Sequence, residues 1–123
     1  MNTEVRKTPG LGRGVFACRD FAPGEEIERC QLIVLPHESD QHIEKTLLDD
    51  YVFVWGRDQT AVVLGNGSLY NHSYGPNAQY VRDFDNEQMV FVALTAIPAG
   101  AEIRINYNGA PDCTDPLWFD CVE

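Results

Sequence analysis

Gly67-Ser68-Leu69-Tyr70-Asn71-His72-Ser73-Tyr74-Gly75-Pro76-Asn77 is the stretch whose reading decides the fold. Two glycines, a proline and several short polar side chains stand here between apolar, strand-like runs. That composition predicts an ordered, tightly turning loop that continues neither a sheet nor a helix. Asn71, His72 and Ser73 also set an amide, an imidazole and a hydroxyl side by side, a dense group of donors and acceptors. Alone, the tripeptide reads as an Asx-rich turn that satisfies its own backbone. Two distant stretches change that reading: Gly12-Arg13-Gly14-Val15-Phe16-Ala17 before it, and Glu102-Ile103-Arg104-Ile105-Asn106-Tyr107 after it.

Working outward from the loop, most of the chain has strand character. Residues 79–82 and 88–96 predict a hairpin around Asp83-Phe84-Asp85-Asn86-Glu87. Residues 51–55 and 60–64 read as two strands around Gly56-Arg57-Asp58-Gln59. A longer run, 27–35, ends at Pro36, and 14–18 is a short buried strand after a glycine turn. The period turns helical only over 39–51, where Ile43, Leu47, Leu48 and Tyr51 fall at i, i+4, i+5 and i+8. With Ser39 or Asp40 as N-cap, this predicts one helix of about three turns. Phe21-Ala22-Pro23-Gly24-Glu25-Glu26-Ile27 is echoed by Ile97-Pro98-Ala99-Gly100-Ala101-Glu102-Ile103, the same turn chemistry used twice rather than a repeat architecture. After Asn108 periodicity fades, yet Leu117-Trp118-Phe119 brings large apolar groups that read equally as docking on the domain or on a ligand.

Composition bounds the function. The chain's 123 residues suit one compact domain, with 44% hydrophobic and 23% charged residues, as in ordinary globular proteins. Nine basic residues against nineteen acidic give a net charge of -10, which argues against direct nucleic-acid binding and reads either as plain solubility or as attraction for basic partners. No apolar run reaches membrane-spanning length and the first residues lack the apolar core of a signal peptide. The expectation is a cytoplasmic or nuclear protein, not secreted and not in a membrane. Cys18, Cys30, Cys113 and Cys121 form no C-x-x-C pair and read as reduced thiols without a bound metal; pairing of Cys113 with Cys121, or a metal shared with a partner chain, is a minor alternative.

The glycine turn, the Asn71-His72-Ser73 loop with Pro76-Asn77, and the Glu102-Ile103 strand ending near Tyr107 resemble, in order and spacing, a SET-domain lysine methyltransferase. The likeness runs from about Gly10 to Tyr107 and is strongest to the small viral and bacterial members, notably in Leu48-Asp49-Asp50-Tyr51-Val52-Phe53. It implies a mainly β fold (the β-clip of SET domains): several small twisted sheets, one short helix, and a C-terminal segment threaded beneath the 71–77 loop as a pseudoknot. It implies a single domain over 1–123, with 108–123 as a short closing segment. Many members bind zinc through a cysteine after Asn-His-Ser and a C-terminal cysteine triplet. Tyr74 and the wide spacing of Cys113 and Cys121 depart from that pattern, so no zinc is expected and aromatics close the site instead. Asn106 stands where an aspartate often precedes the catalytic tyrosine.

The chemistry implied is methyl transfer from S-adenosylmethionine to a lysine ε-amine of a basic, histone-tail-like protein. Gly12, Arg13 and Gly14 would offer main-chain groups to the methionine end of the cofactor, Asn71 its amide, and His72 its backbone to the adenine edge. Trp118 and Phe119 would close over the cofactor. Tyr107 would be the central catalytic residue, with Tyr51 and Tyr80 walling the lysine channel; the alternatives are a core tyrosine at a strand end for Tyr107 and the helix's apolar face for Tyr51. Tyr80 follows Asn71 by nine residues, the spacing of a channel tyrosine in members that stop at one methyl group, which implies a mono- or dimethylating enzyme. A homodimer is implied by the viral relatives. Two other classes stay open: a catalytically silent SET-like module that binds a basic protein, and a small β domain organised by its cysteines through a metal or partner.

Overall fold

In the computed structural model, which describes residues 2–10 and 12–118, the strand-period runs assemble into two sheets. One is four-stranded in the order β1 (Thr3–Thr8), β2 (Gly12–Ala17), β9 (Glu102–Ile105), β6 (Asn71–His72). The other is five-stranded in the order β4 (Phe53–Trp55), β5 (Gln59–Val63), β3 (Glu26–Pro36), β8 (Gln88–Ala93), β7 (Ala78–Asp83). The fold is mainly β with one short helix, as the sequence led us to expect. Alternation decides which faces meet: Met89, Phe91 and Ala93 of β8 and Ile103 and Ile105 of β9 point into a shared core. Each such aliphatic or aromatic side chain, fully buried, contributes about 1.5–3 kcal/mol. Ile27 and Cys30 are both buried although three apart, because a bulge between Glu26 and Glu28 re-phases β3.

Two local expectations need correction, and a third element had none. First, the three-turn helix is not there: a 3-10 turn at His37–Ser39 leads into α1 (Asp40–Ile43), and a separate 3-10 turn covers Leu47–Asp50. Thr46 parts them, with extended backbone and its hydroxyl donating to the Ile43 carbonyl at 2.8 Å. Of the apolar stripe only Ile43 is buried; Leu47 is 74% exposed, so the core gives the stripe no reason to stay helical. Nor does Ser39 cap by its side chain. Second, Asn71 and His72 do continue a sheet: they pair in parallel with Arg104 and Ile105, and the Ser73 N–H extends the ladder to the Ile105 carbonyl at 2.9 Å. Local turn residues gave way to a partner strand from the far end of the chain. Third, β1 is an edge strand whose single apolar residue, Val5, is largely exposed, so its sequence carries no alternation.

The echoed segments meet each other. Phe21 and Ile97 exchange reciprocal backbone hydrogen bonds of 2.8 and 2.9 Å, and both side chains are buried. Each is followed by a turn closed at 3.0 Å (Glu25 N–H to Ala22 carbonyl) or 3.1 Å (Ala101 N–H to Pro98 carbonyl). The third residues, Gly24 and Gly100, have φ of 83° and 89°, the left-handed region that this turn type requires of a glycine. The pair clips the start of β3 to the approach of β9. Among the described residues no helix is long and apolar enough to cross a membrane.

Candidate active site

β9 lies between β2 and β6, and this brings the three sequence motifs to one place. The Asn71 amide nitrogen donates to the Arg13 carbonyl at 2.9 Å and to Glu102 Oε2 at 2.7 Å. Asn77 clamps β9 from the loop's other end: its Nδ2 donates to the Glu102 carbonyl at 2.9 Å, and its Oδ1 accepts the Arg104 N–H at 2.8 Å. Glu102 also pairs with Arg104 at 3.1 Å. Gly14 passes so close that a Cβ there would collide with the Glu102 carboxylate and stand 2.8 Å from the Asn71 nitrogen. That close approach explains the glycine.

Tyr107 follows β9 and is fixed from two sides. Its N–H donates to His72 Nδ1 at 2.9 Å, which makes Nδ1 an acceptor, and its hydroxyl donates to the Tyr70 carbonyl at 2.5 Å. The His72 ring is buried between Tyr107 and the edge-on ring of Tyr74, 4.4 Å away. Beyond Tyr107 the chain is tied back across the 71–77 loop: the Tyr74 hydroxyl donates to the Asp115 carbonyl at 3.0 Å, as does Asn108 Nδ2 at 2.9 Å. Asn106, buried, fastens this crossing by donating to the Cys113 carbonyl at 2.7 Å while its Oδ1 accepts the Asn108 N–H at 3.0 Å. An aspartate there could not donate.

Two cavities adjoin along Tyr107. The larger, about 880 Å³, is lined by Gly12, Arg13, Asn71, Tyr107 and Trp118, with Arg6 and Lys7 at its rim. The smaller, about 390 Å³, is lined by Tyr51, Phe53, Tyr80, Arg82, Tyr107 and Trp118. Asp50, Tyr51, Ser68, Tyr107 and Trp118 belong to both walls. Trp118 lies stacked over the Tyr107 ring, centroids 6.0 Å apart, with much of its own surface exposed. The Tyr80 hydroxyl donates to the Tyr107 carbonyl at 3.3 Å, and Phe53 meets its ring edge-on at 5.0 Å. Burial raises the Tyr80 phenol above its ordinary value, and the Arg82 charge opposes this.

Tyr107, Tyr80 and Tyr51 therefore share one cavity, while Gly12, Arg13, Asn71 and Trp118 share the other. Gly14 sits behind the larger cavity as the packing partner of Asn71. His72 lines neither cavity; its ring supports Tyr107 from beneath. Phe119 and Cys121 lie outside the described residues. Ser68 and Arg82 were not singled out from the sequence. The Ser68 hydroxyl donates to the Val63 carbonyl at 2.7 Å, and its place three residues before Asn71 was the one available signal.

Comparisons with known proteins bear on the family and the fold. The family model for the SET domain matches residues 12–108. The Schizosaccharomyces pombe protein named histone-lysine N-methyltransferase, H3 lysine-37 specific, is 32% identical over 118 residues, covering 95% of this chain and 76% of that protein. A Plasmodium falciparum crystal structure, solved for a candidate histone methyltransferase, superposes with a TM-score of 0.69 at 27% identity, covering 86% of this chain and 92% of the other.

Proposed function

We propose, for a chain that belongs to the SET domain family, that it moves a methyl group from S-adenosylmethionine to a lysine ε-amine of a basic, histone-like protein. The observation that carries this reading is the pair of cavities adjoining along Tyr107. Two reactants brought in from separate openings and aligned at a common wall gain most of their acceleration from orientation. The fission-yeast relative and the net charge of -10 support this substrate class, with Asp50 lining the smaller cavity.

The larger cavity suits the cofactor. Its volume falls in the range of about 300–1,000 Å³ usual for ligand pockets, and its walls combine main chain, an amide, cations and an aromatic face. S-adenosylmethionine, when bound, supplies an activated methyl group on a sulfonium. Both Asn71 N–H groups are already engaged with Arg13 and Glu102, so the amide offers a ligand its Oδ1, an acceptor suited to the cofactor's ammonium. Gly12, with φ of 76° and open space where a Cβ would stand, leaves its backbone accessible beside Arg13. Trp118, which lines the cavity and stacks on Tyr107, would close over the cofactor.

On the lysine side, the chain's task is to hold a neutral amine in line. Tyr51, Phe53, Tyr80 and Tyr107 give the smaller cavity an aromatic side, where desolvation favours the amine that has released its proton to water. The Tyr107 hydroxyl spends its proton on the Tyr70 carbonyl, so it presents lone pairs to the amine and to the methyl hydrogens. Tyr80 likewise spends its proton on the Tyr107 carbonyl and presents an acceptor. An acceptor at that place holds a singly methylated amine turned away from further transfer, so the product is mono- or dimethyl-lysine.

One experiment tests the reading: thermal melting with saturating S-adenosylmethionine, then incubation with cofactor and a histone mixture, with products identified by mass spectrometry. Cofactor at a hundred times Kd should stabilise the domain by about 2.7 kcal/mol, and lysines should carry one or two methyl groups. Tyr80→Phe should shift products toward higher methylation. A melting shift without transfer would identify a silent cofactor-binding module. Abundant trimethyl-lysine at early time from the unmutated protein would defeat the assignment of Tyr80.

A further inference from the structure

Tyr70 stands one residue before Asn71 and is held at both ends. Its side chain is 1% exposed and stacks on Phe91, with centroids 4.4 Å apart and planes 22° from parallel. Its hydroxyl crosses the core to donate to Glu28 Oε1 on β3 at 2.6 Å. Its carbonyl, at the opposite end, accepts the Tyr107 hydroxyl at 2.5 Å. The carboxylate is itself fixed, since Glu28 Oε2 accepts the Asn66 N–H at 3.3 Å. Gly65 leaves room for it; a Cβ there would stand 3.0 Å from the same oxygen. Burial, and after it the Glu28 charge, push the Tyr70 phenol upward, so the hydroxyl remains a donor.

A tyrosine side chain is a stiff lever with two torsions between backbone and hydroxyl. Pinned at its tip and sandwiched along its length, it restricts the rotation of its own peptide plane. That plane carries the oxygen against which the Tyr107 hydroxyl rests. We propose that Glu28 is a positioning residue: through the Tyr70 ring it orients the Tyr70 carbonyl and so fixes the direction of the Tyr107 hydroxyl. The catalytic consequence rests on the methyltransferase reading, whereas the geometric claim does not. A half-buried acid held against a buried phenol costs more desolvation than an apolar pair of the same shape, and orientation of Tyr107 gives that cost a use.

The test compares Tyr70→Phe, Glu28→Ala and Glu28→Gln with Val90→Ala, a substitution in β8 outside the site, all well below their melting temperatures. Tyr70→Phe and Glu28→Ala should each lower kcat about tenfold with KM for the histone acceptor within about twofold, the pattern of lost orientation rather than lost binding. Glu28→Gln keeps an acceptor for the hydroxyl and should recover most of kcat. NMR of protein carrying 13Cζ-tyrosine, with the Tyr107 signal assigned through Tyr107→Phe, should show that signal displaced in Tyr70→Phe and Glu28→Ala but in place in Glu28→Gln and Val90→Ala. A Tyr107 signal unmoved in Tyr70→Phe and Glu28→Ala overturns the proposal, as does an equal loss of kcat in Val90→Ala. Should Tyr70→Phe fail to fold, Glu28→Ala decides. An unmutated protein that methylates nothing defeats the methyltransferase reading, and the Tyr107 signal still judges the positioning.

Discussion

Two walls meet at the larger cavity, one of them continuing into the smaller, and they are made differently. One comes from β2, β6 and β9, where Asn71, Asn77 and Glu102 hold one another by side-chain hydrogen bonds of 2.7–2.9 Å and Ile103 and Ile105 are sealed in the core. The other comes from residues 47–58, a chain of short turns and one three-residue strand, with Leu47 and Val54 74% and 67% exposed. The first wall is complete within the molecule. The second presents apolar side chains and carboxylates to solvent, the composition of a surface that meets another chain. The difference suggests a division of labour: a preorganised side for the small cofactor and an adaptable side for a protein substrate.

Substitutions can break or sharpen that contrast. The largest effect is expected at the junction of the walls. Tyr107→Phe removes the acceptor shared by both cavities and should lower kcat by about a hundredfold or more, with cofactor affinity kept, as read by single-turnover assays and calorimetric titration. Next comes the rigid wall itself. Gly14→Ala drives a methyl into Glu102 and Asn71, and denaturant melts should show a loss of about 1–3 kcal/mol, together with weaker cofactor binding. The smallest effect belongs to the open wall: Val54→Ser should change stability by less than about 0.5 kcal/mol while raising KM for the protein substrate severalfold in steady-state assays. If Val54→Ser destabilised the fold as Gly14→Ala does, the two walls would not differ as described.

How far the sequence could be read follows the same divide. β5 and β7 were legible because their side chains alternate between core and solvent, and β3 and β8 because their apolar runs stand between turn residues. β1 was not, since an edge strand with one exposed valine has no pattern to show. The helix was misread because Ile43, Leu47, Leu48 and Tyr51 have helical spacing without a core to receive it. Residues of the site were legible as motifs, yet their convergence was not a matter of periodicity. It comes from a parallel pairing of Asn71–His72 with the strand before Tyr107, which the expected turn did not allow for and spacing alone could not supply; the resemblance implied only that the C-terminal segment passes beneath this loop. Ser68 and Arg82 went unnoticed because a lone hydroxyl or guanidinium has no spacing rule. The part of Asn106 in fastening the crossing becomes visible only once the Cys113 carbonyl is seen beside it.

The insertion of β9 between β2 and β6 also bears on the order in which the molecule assembles. Val15 pairs with Ile103 and Asn71 with Arg104, so this strand takes partners from two distant parts of the chain. Local hairpins such as β7–β8 need no such wait. Contacts between distant segments form slowly because loop closure must precede them. The reciprocal clip between Phe21 and Ile97 shortens that search by delivering β9 to its slot. Tyr107 stands two residues after the end of β9, so hairpins such as β1–β2 and β7–β8 need no cavity to form, whereas the four-stranded sheet and both cavities close together when β9 takes its place.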